Sequence, residues 1–156
     1  MEIISRSPEQ TRRVGMRLGS LLQKGDILCL VGDLGSGKTT LVQGLAAGWG
    51  SLDRVTSPTF VLVNVYRHPD GQQLYHLDAF RLNSAAQAEE LDIHAMLEAG
   101  PLVVEWAERI ERALPTENLW ATLKLVDDNQ RDLLLQARGL HYEALLAMLR
   151  RLVYGG

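Results

Sequence analysis

The run Gly32-Asp33-Leu34-Gly35-Ser36-Gly37-Lys38-Thr39 fits G-x-x-x-x-G-K-[ST]. It lies between an apolar stretch of strand type, 26–31, and a stretch of helical type, 39–49. In that setting the glycines let the backbone curl until successive N–H groups point inward at an anion. The helix that follows adds the positive end of its dipole. Such a loop holds the phosphates of a nucleoside triphosphate. Lys38 is placed to reach the β- and γ-phosphates, and Thr39 to offer its hydroxyl to Mg²⁺. The bound cofactors expected are therefore ATP or ADP with Mg²⁺, on Asp33, Leu34, Gly35, Ser36, Gly37, Lys38, Thr39 and Thr40.

Hydrolysis or transfer also needs a carboxylate near the metal and a group that orients the attacking oxygen. Asp78 and Glu105 each end an apolar run. In open α/β sheets the ligand lies beyond the carboxyl ends of the parallel strands, so strand-end carboxylates are well placed for this work. Thr56-Ser57-Pro58-Thr59-Phe60 offers three hydroxyls around a proline. It reads either as a γ-phosphate-sensing segment or as a β-branched strand entry. His76 shares a strand face with Asp78 at i, i+2 and reads as a structural histidine. Trp106 is open between core packing, nucleotide stacking and a partner-facing role.

These residues need a scaffold. Ser7-Pro8-Glu9-Gln10 combines a capping Ser, a Pro at the first helical position and a Gln three residues after the cap, which predicts a helix over 8–22. A strand apolar on both faces is expected at 27–31 and another at 102–105, as central parallel strands should be. The Asp70-Gly71 pair predicts a hairpin joining 59–67 to 73–78, and 127–130 a second hairpin joining 119–126 to 132–137. Helical character is expected at 84–91, 107–114 and 142–153. Together these elements predict an α/β protein, a P-loop NTPase-like three-layer sandwich. Its mixed sheet should have parallel strands at the centre and antiparallel strands outside.

The chain's 156 residues fit one domain, 1–156, with no repeat or linker. Sixteen basic against nineteen acidic side chains give a net charge of −3, the wrong sign for gripping a phosphate backbone unaided. No signal-peptide core or bilayer-length apolar run is present, so a cytoplasmic protein without a membrane partner is expected. Cys29, the single cysteine, lies in an apolar strand and is expected to be a small core residue.

The motifs G-D-L-G-S-G-K-T-T at 32–40, T-S-P-T-F at 56–60, Y-H-L-D-A-F-R-L at 75–82, E-E-L at 89–91 and V-E-W at 104–106 resemble, in order and spacing, the TsaE (YjeE) family. That resemblance implies a bacterial ATPase required with the TsaD and TsaB proteins for threonylcarbamoylation of adenosine 37 in tRNAs reading codons that start with adenine. The tRNA would be met only through the complex. By position, the likeness makes Lys38 and its loop the phosphate cradle, Thr39 and Glu105 the Mg²⁺-associated residues and Asp78 a supporting carboxylate. It gives Thr59 and Trp106 switch or partner-coupling roles, and it places Ser7 and Thr11 near the nucleotide. Two positions depart from the family pattern: Phe80 replaces a Tyr, and Ala107 a Pro.

The alternative reading is a small-molecule kinase, which also opens with a strand and a phosphate loop. Arg109 and Arg112 would have to serve as its lid, yet Glu105, Glu108, Glu111 and Glu117 surround them. A GTPase needs N-K-x-D to read its base, and no Lys here follows an Asn.

Overall fold

In the computed structural model, residues 1–33, 35–55, 63–82 and 85–155 are described. Seven strands form one sheet in the order β1-β7-β6-β2-β5-β4-β3. Strand β2 (Ile27–Val31) lies at its middle, parallel to β5 (Leu102–Glu105) on one side and to β6 (Asn118–Leu125) on the other. Strand β4 (Gln73–Asp78) continues the parallel set beyond β5. Antiparallel partners close both flanks: β3 (Val63–Arg67) on β4, then β7 (Arg131–Arg138) on β6 and β1 (Glu2–Ser5) on β7. All four residues of β5 and four of the five in β2 are buried, so both sheet faces are covered and the architecture is the expected three-layer one.

Helix α1 (Pro8–Leu21) starts as its sequence dictates: Ser7 Oγ accepts from Gln10 N at 3.1 Å. Gln10 in turn accepts from Arg6 N at 2.7 Å, one residue before the cap. Helix α2 (Lys38–Trp49) follows the phosphate loop and stops at Gly50, which is left-handed at φ 103°. The two helices touch backbone to backbone. A Cβ at Gly15 or Gly19 of α1 would fall on the carbonyls of Leu41 or Leu45, and one at Gly44 or Gly48 of α2 on those of Arg12 or Met16. This seam has no counterpart among the features anticipated from sequence.

Four further differences separate the structure from the sequence reading. Strand β1 was not anticipated; its one sheet neighbour is β7, more than a hundred residues away, and alternating burial over four residues is a weak signal. Helix α4 (Ile93–Ala99), capped by Asp92 Oδ1 on Ala95 N at 3.1 Å, was also missed. The helix expected over 107–114 is instead two 3₁₀ turns, Ala107–Arg109 and Glu111–Ala113. Trp106 enters them in a left-handed conformation, φ 58°, and Ile110 breaks them at φ −130° while burying its side chain completely. The last helix, α5 (Leu140–Tyr154), is longer than expected. Strand 59–67 is described only from Val63, helix α3 spans Ala85–Glu89, and its expected cap, Ser84, lies outside the described residues. Cys29 is fully buried, and burial pushes its thiol up to about 12. Among the described residues no helix is long and apolar enough to cross a membrane.

Candidate nucleotide-binding site

A cleft of about 540 Å³ opens at the carboxyl ends of the parallel strands, where four parts of the chain meet. The phosphate loop and the start of α2 supply Gly35, Gly37, Lys38, Thr39 and Thr40; the strand ends supply Asp78, Glu105 and Trp106. Thr11, with Ser7 and Pro8, forms the wall given by α1. The fourth wall, Asp128, Asn129 and Arg131, comes from the β6–β7 turn and was not anticipated. The turn itself was legible from Asp127-Asp128-Asn129-Gln130; its place at the cleft follows from β6 running parallel to β2, so that the two strands end side by side. Of the remaining residues singled out from sequence, Asp33 is exposed and Ser36 fully buried, neither among those lining the cleft, and Leu34 and Thr59 lie outside the described residues.

The loop has a backbone conformation that can turn N–H groups toward an anion. Gly35 and Gly37 take φ 80° and 101°, a region closed to most side chains, and Gly37 caps α2 without any side-chain acceptor on the helix's first N–H groups. Ser36 Oγ is buried with no hydrogen-bond partner among the described residues. Arg131 braces the loop from outside, its Nε donating to Gly35 O at 3.1 Å and its Nη1 to Asp127 O at 2.8 Å. On the α1 side, Thr11 Oγ1 and Ser5 Oγ share a buried hydrogen bond of 2.6 Å.

Lys38 is 7% exposed. Its Nζ donates to Gly32 O and stands 3.9 Å from the Trp106 ring centroid, in cation–π contact. Burial lowers its pKa from the usual 10.5, against the opposing pull of Glu105 first among nearby carboxylates. Trp106, half-buried, packs against Phe80 at 5.0 Å between ring centroids, and the Arg109 guanidinium lies 5.0 Å from the Phe80 ring. Phe80, where the family pattern has Tyr, thus contributes an aromatic face.

The two carboxylates meet as the strand-end rule requires, since Asp78 and Glu105 are register partners at the ends of β4 and β5. Asp78 Oδ1 accepts from Phe80 N at 2.9 Å. Glu105, 5% exposed, has Oε2 2.7 Å from His76 Nε2, and His76 Nδ1 lies 3.0 Å from Tyr66 Oη. Burial, with Glu105 second, pushes the Tyr66 phenol up to about 12, so it remains a proton donor. No group of three or more His, Cys, Asp or Glu that would hold a metal by itself occurs among the described residues. One hydroxyl and one or two carboxylates beside a phosphate site nevertheless suit Mg²⁺, which takes its other ligands from phosphates and water.

Comparison with known proteins gives the family and the fold. The family model "Threonylcarbamoyl adenosine biosynthesis protein TsaE" matches residues 5–133. A Bacillus subtilis protein named tRNA threonylcarbamoyladenosine biosynthesis protein TsaE is 38% identical over 93% of this chain and 90% of its own length. A Treponema pallidum protein of the same name is 38% identical over 85% of this chain and 98% of its own. A crystal structure of Bacillus subtilis YdiB superposes with a TM-score of 0.80 at 32% identity, covering 97% of this chain and 94% of that one. With the family model spanning most of the sequence and the fold shared along nearly all of it, the chain belongs to the TsaE family.

Proposed function

We propose that the chain binds ATP with Mg²⁺ in this cleft, hydrolyses it slowly by itself, and serves threonylcarbamoyladenosine formation on tRNA with TsaD and TsaB as partners. The pathway rests on family membership and on the names its relatives carry. The chemistry rests on one observation: Lys38, Thr39, Asp78 and Glu105 converge on a single cleft at the strand ends. In this reading the loop amides and Lys38 hold the phosphates, Thr39 and Glu105 hold the metal, and Asp78 supports them. The metal, when bound, supplies neutralisation of charge on the phosphate oxygens.

Among the described residues that line the cleft, Lys38 and Arg131 carry the positive charge, and charge on the transferring phosphoryl group calls for a further cation. Arg131 is committed to the Gly35 and Asp127 carbonyls, and Arg109 to the Phe80 and Trp106 rings. An arginine supplied by a partner is worth on the order of 10³–10⁵ in rate, which makes a partner-gated ATPase the natural consequence. Turnover measured alone and then with purified TsaD–TsaB tests this. Slow basal hydrolysis with marked stimulation is expected. Fast turnover by the protein alone, or labelled phosphate appearing on a small acceptor, would overturn it in favour of a stand-alone enzyme or a kinase.

A further inference from the structure

His76 sits between Tyr66 and Glu105 on one face of the sheet. The register explains how: His76 is opposite Val103 on β5 and opposite Asn64 on β3, so Glu105 and Tyr66 are its diagonal neighbours on either side. The line Tyr66–His76–Glu105 therefore crosses three strands, closed by contacts of 3.0 and 2.7 Å. All three side chains are nearly inaccessible, at 4%, 2% and 5% exposure.

As core filling, this is a poor choice. Taking an imidazole and a carboxylate out of water together carries a desolvation cost that an apolar pair of similar volume avoids. What the polar pair provides is direction. A glutamate has three rotatable side-chain bonds, and a buried donor of fixed position selects one orientation of its carboxylate. The phenol completes the device: Tyr66 Oη–H donating to Nδ1 leaves the imidazole proton on Nε2, where it points at Glu105.

We infer that His76 is a positioning residue which, with its tautomer set by Tyr66, aims the Glu105 carboxylate at the metal side of the cleft. This rests on the reading of Glu105 as the metal-associated carboxylate. Asp78, the other strand-end carboxylate, takes its orientation from the Phe80 amide instead, so the two acids are held by independent means. Removal of His76 should therefore uncouple Glu105 alone.

The test is the affinity for a non-hydrolysable ATP analogue, titrated calorimetrically once with saturating Mg²⁺ and once in EDTA, together with kcat and KM for ATP. His76→Leu is expected to lose about 10- to 100-fold of the gain that Mg²⁺ confers, with KM for ATP rising in step and a comparable share of kcat lost, while affinity in EDTA stays nearly unchanged. His76→Gln, which keeps an N–H donor toward Glu105, should recover most of the loss. Tyr66→Phe should show a smaller loss of the same kind, and it decides the matter if His76→Leu fails to fold. Equal Mg²⁺ gains in the parent and in the folded variants would overturn the inference. Glu105→Gln separates the two claims: if it too leaves the Mg²⁺ gain intact, the metal reading of Glu105 falls, whereas a loss in Glu105→Gln alone removes only the positioning role of His76.

Discussion

The Lys38 ammonium is held between the Gly32 carbonyl and the face of Trp106. A desolvated cation against a π-face is ready to be recaptured by phosphate oxygens, whose attraction far exceeds that of the ring. Lys38→Ala is accordingly expected to abolish tight ATP binding; an unchanged affinity in a fluorescence or calorimetric titration would refute the phosphate-site assignment. Glu105→Ala is a different kind of lesion. Binding without metal rests on loop amides that this change leaves alone, so affinity in EDTA should survive while the gain that Mg²⁺ confers and the turnover each fall by at least about tenfold, and Asp78→Ala should do the same less severely. Wild-type turnover in Glu105→Ala would end the strand-end argument. At this scale the sequence was most legible where chemistry is local, in the loop glycines, Lys38 and Thr39. His76 was read as structural because a strand pattern gives the i, i+2 neighbour, Asp78, but not which residue of the adjoining strand lies diagonally across from it.

Among the elements, the glycine seam between α1 and α2 sets how near Thr11 stands to Lys38 and Thr39. Gly44→Val would drive a branched side chain into the Arg12 carbonyl, and backbone cannot yield as a side-chain tip does. A loss of about 1–3 kcal/mol or more in chemical denaturation is expected, with weaker nucleotide binding. A fully stable variant with unaltered affinity would show that the helices part at no cost. A second element-scale device is the Asp53 carboxylate, which takes three hydrogen bonds from Arg67 and so ties the stretch after α2 to the end of β3. Those bonds, from the guanidinium first and then the backbone amide, hold its pKa at about 2 against the ordinary 3.8. A depressed carboxylate stabilises above its unfolded value and loses that contribution as the pH falls through its folded one. The gap in stability between the parent and Asp53→Asn, small because the pair is exposed, should be constant above pH about 4 and close toward pH 2. A gap that persists there would contradict the assignment. Sequence pattern located most of these elements, since capping residues and hairpin turns act within a few positions. It missed β1 and the seam, whose partners are distant, and it took 107–114 for one helix because nothing in the residue types announces the left-handed turn at Trp106.

For the molecule as a whole, a net charge of −3 agrees with a protein that reaches nucleic acid through others. The Trp106 ring lies against Lys38 inside the cleft and against half-exposed Phe80 outside it, which under the proposed function makes it the residue to test for partner coupling. Trp106→Ala is expected to cut TsaD–TsaB stimulation of ATP turnover more than it cuts basal hydrolysis or nucleotide affinity. Equal losses in all three would reduce Trp106 to packing.

The edge of the sheet carries an implication for how the protein comes into being. Strand β1 has β7 as its sheet neighbour, and the Arg131 end of β7 forms part of the cleft. On the ribosome, α1, the phosphate loop and the strand ends at Asp78 and Glu105 emerge before Asn129 and Arg131, so the growing chain carries a cleft without its fourth wall until the far strand arrives. A nascent chain halted short of residue 127 should therefore gain no resistance to protease from added ATP, whereas one released beyond β7 should gain it. Under the proposed function, that outcome would mean that ligand competence is acquired late in synthesis, with nucleotide reporting completed folding.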